Sequence, residues 1–417
     1  MKRRELSSMK TKAFGKKGSY TVFIAMFMSG MIIFSGAVIN ASHQRAIDAS
    51  CEDLGKVWAG SILGDYDREL RQRYGFYGYI GNEDLTREKL IRYSDYTFKK
   101  KKYIKRTSLE CYLQDYKLAD LNVFRDQMLK LAGSLWMPLP FGRDGSDSEN
   151  DPGNSSSNEK PRARYISAGW IIGGLPSRSY SGKPLKRSGG KSLLETAYIF
   201  KSFKDHVDDR DLGKTYFNNE IEYIITGKLD DEKARKLVYA ELLAERNALN
   251  LSYLYSSNKK RQAALEAAEL ITPGPEAVIT QALILEVWAL LEARNDLALL
   301  YDGKKVPLVK HDRNWALDLE NAVKKVEDDK DSGELDTREQ KKYVKPKSIE
   351  GQKYSDYLKT LLIAVPERKK LLRVMDLIQI NMKYAYCDYF LMDDLYVGLD
   401  YTMTVNGKEH LYHDEYK

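Results

Sequence analysis

From Gly18 to Ser42 the chain carries no charged residue, and lysines crowd the positions just before it. The most apolar part, Tyr20 to Asn40, spans about 30 Å as a helix, the thickness of a bilayer's hydrocarbon core. Beyond the run, apolar residues recur at helical spacing at Ala46, Ile47, Leu54, Val57, Trp58, Ile62 and Leu63. The pattern predicts one spanning helix that continues as an amphipathic helix to about Leu70. Its end is marked by Gly75, a residue that tolerates the left-handed conformation closing many helices.

The remaining pattern predicts an α+β chain in which helices dominate. A tyrosine-rich stretch to about Tyr116 reads as strands and short helices, and Asp120 to about Leu135 as a helix. Residues 142–162 are rich in Gly, Ser, Asn and Pro and nearly free of apolar side chains. They cannot bury enough surface to offset chain entropy and read as a disordered linker. Farther on, Asp230, Asp231 and Glu232 sit where a helix start favours acids, and Pro275 suits a first helical turn. Ala282–Leu291 is apolar except for Glu286; the run Ala277–Leu291 that holds it is too short to span a bilayer and reads as a central buried helix. Glu286 then needs a partner, and Arg246 is one candidate for a buried polar pair. Residues 325–350 read as an exposed charged segment, Ser355–Met382 as helical, and Asn406-Gly407 as the turn of a C-terminal hairpin. The expected regions are therefore a basic head (1–17), a spanning helix (18–42), a helix with a mixed region (43–141), the linker (142–162) and a helical domain with a terminal hairpin (163–417).

Charge refines this picture. The chain carries a formal net charge of +7, but residues 1–17 hold seven Lys and Arg against Glu5, so nearly all the excess sits on the head. That distribution is a topology signal and not a phosphate-binding footprint, which argues against a nucleic-acid partner. It places the N-terminus in the cytoplasm and residues 43–417 outside it. Removal as a signal peptide is disfavoured, because the run is long and Ile39 stands three positions before a cut after Ala41. Three cysteines, Cys51, Cys111 and Cys387, are too few for a disulfide scaffold. They read as unpaired thiols, with a Cys51–Cys111 bridge as the alternative.

Chemistry is sparse. His410 and His413 near the C-terminus read as an accidental pair and not a metal site, Gly190-Lys191-Ser192 lacks the rest of a phosphate loop, and Asp208, Asp209 and Asp211 lack calcium-loop spacing. No catalytic residue, cofactor or metal is expected. Two features invite contact with other molecules. Small residues Ala25, Ser29, Gly30, Ser35 and Gly36 let another membrane helix approach closely. Lys99, Lys100, Lys101, Lys102, Lys105 and Arg106 form the one basic cluster outside the head, a candidate site for an anionic wall polymer.

Several stretches together resemble a known family: "GSYTVFIAMF" (Gly18–Phe27), "DYDRELRQRYGFYG" (Asp65–Gly78), "LADLNVFRDQM" (Leu118–Met128), "EIEYIITGK" (Glu220–Lys228), "AERNALNLSYL" (Ala244–Leu254), "GKKVPL" (Gly303–Leu308), "YSDYLKTLL" (Tyr354–Leu362) and "RVMDLIQINM" (Arg373–Met382). The chain resembles uncharacterised membrane-anchored proteins of Gram-positive, clostridial-type bacteria. That resemblance implies a TadE/TadG-like role beside Tad (tight adherence) pili, with Flp-type pilins and platform proteins as partners and no established activity. Gly18–Ser19 would supply a prepilin-type cleavage junction, but Phe23 stands where such processing favours Glu. The expectation is a non-enzymatic accessory or pseudopilin-like subunit that stays in the membrane. The alternatives are a tethered module that binds wall polymer or another cell, and a tethered hydrolase.

Overall fold

The computed structural model describes residues 17–99, 101, 103–134, 168–186, 190–321 and 343–416. The linker at 142–162 and most of the segment at 325–350 lie outside the described residues. The fold is mixed α and β and mainly helical, with one long apolar N-terminal helix.

Two compact units are present, and neither is one continuous stretch. The first comprises the chain up to Gly64, Asn82–Leu113 and the end from Gly398; the second comprises Asp65–Gly81 and Gln114–Val397.

The first unit is a helix laid on a sheet. Helix α1 (Lys17–Leu63) runs unbroken for 47 residues. It stops earlier than its apolar period predicts, at Gly64, and the chain restarts after Asp67. Helix α2 (Arg68–Tyr74), in the second unit, is capped by the Asp67 carboxylate at its start and by Gly75 in the left-handed conformation at its end. Strand β1 (Tyr79–Ile80) belongs to the second unit, and helix α3 (Glu83–Phe98) to the first. Strand β2 (Arg106–Tyr112) follows α3. The second unit then contributes α4 (Leu121–Ser134), α5 (Ala168–Ile171), α6 (Pro176–Ser179), α7 (Ser192–Ser202), α8 (Glu220–Thr226), α9 (Asp231–Ser256), α10 (Asn258–Ile271) and α11 (Ala277–Tyr301). Helices α12 (Tyr354–Ala364) and α13 (Glu367–Ala385) come next, then β3 (Leu395–Tyr396), which pairs with β1. Strands β4 (Gly398–Val405) and β5 (Lys408–Glu415) return to the first unit and form an antiparallel sheet of order β2-β4-β5.

The Asn406-Gly407 turn joins β4 to β5 with both residues at positive φ, 51° and 82°, the geometry a tight hairpin demands. The hairpin is not an isolated pair, because β2, nearly 300 residues earlier in the chain, adds to β4 as a third strand. The stretch predicted as helical over 355–382 forms two helices, interrupted where Pro366 removes a backbone donor. Helix α11 is buried on every side only in its C-terminal half. Its first half exposes Val278, Ile279, Leu283 and Val287, which corrects the expectation of a helix buried all round: packing against α9 and α10 covers only part of its surface.

Candidate functional site

Helix α1 changes character along its length. Every residue from Tyr20 to Ala46 is exposed, and Ile47 is the first buried one. Among the described residues it is the one helix long and apolar enough to cross a membrane, with a mean hydropathy of 2.3 over its best window. Gly18 and Ser19 lie in its first turn. Ala25, Ser29, Gly30, Ser35 and Gly36 all lie on the exposed half; Ser29 donates only to the Met26 carbonyl, and Gly30 and Gly36 have open space beside them.

From Ile47 onward the helix buries Ile47, Cys51, Trp58, Ala59, Ile62 and Leu63. The helix period places these on the face that meets the sheet and α3. Tyr401 and Tyr412, opposite each other on β4 and β5, stack with centroids 4.5 Å apart. Their hydroxyls donate to α1 carbonyls, Tyr401 to Gly55 (2.7 Å) and Tyr412 to Cys51 (3.0 Å). Tyr416 donates to the Leu63 carbonyl (2.6 Å), satisfying one acceptor that a helix end leaves open. Trp58 meets Phe98 of α3 edge-on. Cys51 and Cys111 are both buried and free. Burial raises both thiols, Cys111 to about 12, so neither supplies a thiolate near neutral pH.

The basic cluster divides. Lys99 and Lys105 are exposed and Lys101 is half-buried, while Lys100 and Lys102 lie outside the described residues. Arg106 does not belong to a free basic surface: its guanidinium bonds Asp95 Oδ1 (3.0 Å), the Ile91 carbonyl (3.1 Å) and the Ser94 hydroxyl. Tyr103 packs against His43 of α1 with ring centroids 5.0 Å apart. Asn406 fastens this loop to the hairpin tip, accepting from the Lys105 amide and donating to the Tyr103 carbonyl, both at 3.0 Å.

The two histidines singled out in the sequence face opposite sides of β5. His410 turns toward α1, 3.6 Å from Asp48, and His413 pairs with Asp400 at 2.8 Å on the other face. Among the described residues no group of three His, Cys, Asp or Glu side chains is placed to hold a metal ion.

In the second unit the predicted Arg246–Glu286 pair does not form. Glu286 is exposed and accepts from Asn247 (2.9 Å). Arg246 is fully buried and bonds Asp296 (2.9 Å), Asn250 and the carbonyls of Pro307 and Leu308. Lys310 completes the cluster, with its Nζ 2.6 Å from both Glu292 and Asp296. Residues 292 and 296 are one turn apart on α11, a spacing that marked a common face. Their partners come from elsewhere in the chain. The cluster is densely bonded and reads as a structural fastening. A second polar core holds Glu220 and Glu222 of α8, both raised to about 7 by burial. Glu220 accepts from the Lys204 amide and Asn381, and Glu222 from the His206 amide and Tyr354.

A family model described as a family of unknown function (DUF5702) matches residues 128–407. The match begins inside α4, so α1, α3 and β2 lie before it. No curated protein and no solved structure matches the chain.

Proposed function

The chain belongs to DUF5702, a family of unknown function, and we propose that it acts as a membrane-anchored, non-enzymatic, pseudopilin-like accessory subunit of a Tad-type pilus or secretion apparatus. One observation carries the reading: α1 is a single helix whose first half is apolar and exposed and whose second half is laid on an antiparallel sheet. A helix of that kind needs apolar surroundings for its first half, since leaving so many large apolar side chains in water is costly. A bilayer supplies them, and the basic head then stays on the cytoplasmic side. The unbroken passage from the exposed half to the packed half supports retention of the anchor, because the same helix that would enter the membrane also forms part of a folded core. The Tad setting rests on the sequence resemblance alone.

In this reading the protein works by lateral packing of its spanning helix, over Ala25, Ser29, Gly30 and Gly36, and by docking of its extracytoplasmic body on pilin or platform partners. The test is N-terminal sequencing of the protein from cell membranes, combined with alkaline extraction and co-purification with Flp-type subunits. An intact head or a start at Ser19, membrane retention and pilin co-purification are expected. A start near Ser42 with release from the membrane sinks the anchor. Retention without any pilus partner sinks the Tad assignment alone.

A further inference from the structure

We propose that Lys99, Lys101 and Lys105, with Arg45 of α1, form a basic collar that binds anionic lipid headgroups where the helix leaves the membrane. The proposal deepens the anchor reading above and rests on it.

Position is the first argument. His43 is the first residue beyond the uncharged run, and Tyr103 packs on it. Ile47, one turn farther along, is already buried in the first unit. The folded body therefore begins within about 8 Å of the run's end along the helix axis. A headgroup layer is roughly 5–8 Å deep on each side of the hydrocarbon, so Tyr103, packed on His43, sits in that layer, and Lys101 and Lys105 flank it two positions away in the chain. Tyr103, half-exposed at this level, is the kind of side chain enriched at the membrane–water boundary.

Charge is the second argument. The carboxylates beside this loop already have cations: Asp48 is held by Lys408 (2.6 Å) and faces His410, and Asp95 is held by Arg106 (3.0 Å). Among the described residues, Arg45, Lys99, Lys101 and Lys105 have no ion-pair partner, and all but half-buried Lys101 are exposed. The loop is also held in place, since Asn406 bonds its backbone at Tyr103 and Lys105. The cations are thus presented at a set depth, without the ordering cost of gathering a free tail. A wall polymer would be better met by a patch far from the bilayer, and this one lies at its surface.

The test is hydrogen exchange on the full-length chain in nanodiscs of phosphatidylcholine, with and without phosphatidylglycerol. Amides of residues 99–105 should exchange at least about fivefold more slowly with the anionic lipid, the bias contributed by a single lysine at an anionic surface. The variant Lys99→Gln/Lys101→Gln/Lys105→Gln should lose the difference, while protection of β4 and β5 stays unchanged and shows that it has folded. Equal exchange in the two lipids, with residues 20–42 protected in both, overturns the collar and leaves the anchor standing. The same slowing produced in phosphatidylcholine nanodiscs by a soluble teichoic-acid-type polymer overturns it in favour of a wall ligand. Residues 20–42 unprotected in both lipids would overturn anchor and collar together.

Discussion

Gly55 of α1 and Tyr412 of β5 occupy each other's space: a Cβ on residue 55 would overlap the tyrosine ring. The helix lacks a side chain where the stacked Tyr401 and Tyr412 rings lie on it and donate to its carbonyls. Alanine is the better helix former by about 1 kcal/mol, so on helix propensity alone Gly55→Ala would stabilise. The structure predicts the opposite sign. Overpacking of about 1–3 kcal/mol should outweigh the propensity gain and loosen the sheet from the helix. Amide exchange of β4 and β5 measures this; slower exchange in the variant would refute the packing described.

Arg246 and Glu286 separate a structural cation from a surface carboxylate. Asp296→Asn removes the carboxylate facing Arg246 and leaves Lys310 with Glu292, so the buried cluster carries one uncompensated positive charge, a change that costs roughly 3–5 kcal/mol. Glu286→Ala should stay within about 0.5 kcal/mol of wild type, because the side chain is exposed. Urea denaturation followed by tryptophan fluorescence distinguishes the two, with Trp288 and Trp315 in the adjoining core as reporters. Comparable losses in both variants would restore the pairing expected from sequence.

Glu222 makes the second unit's stability depend on pH. Its pKa is raised by burial to about 7 from the ordinary 4.5, so between those values the folded state holds more protons than the unfolded chain. The Glu222 contribution should therefore be largest below about pH 4.5 and decline as pH rises through that window, levelling off above about pH 7. Glu222→Gln keeps an acceptor for the His206 amide and Tyr354 and cannot ionise. It should flatten the decline and be more stable than wild type by about 1–3 kcal/mol near pH 8. Thermal melts across the range read both effects, and an unchanged slope would rule out Glu222 as a contributor.

Asn406 does two jobs, adopting positive φ in the hairpin turn and bonding the loop at Tyr103 and Lys105. Asn406→Ala should cost about 1–3 kcal/mol through backbone strain and lost hydrogen bonds. Amides at 103–105 should be released more than those at the centre of β4. An equal change throughout the sheet would mean that the turn, and not the loop tether, carries the effect.

What the sequence determined by itself is local. The uncharged run and its basic head define a helix of spanning length. Gly75 and Asn406-Gly407 mark a helix end and a turn, because few residues accept positive φ. Asp230 marks a helix start, because its carboxylate accepts from the Lys233 amide. Partners were decided only by the tertiary structure. Nothing local says that β2 pairs with β4, that Arg246 meets Asp296 and not Glu286, or that Arg106 is consumed by Asp95 while Lys99 and Lys105 have no ion-pair partner among the described residues. Periodicity shows that a helix has an apolar face, but not what covers it, and α11 exposes part of an apolar surface that composition alone would bury. Hydrophobic attraction has no direction, so the choice among partners falls to shape, chain connectivity and the cost of leaving a buried charge unpaired, which exist only once distant segments meet.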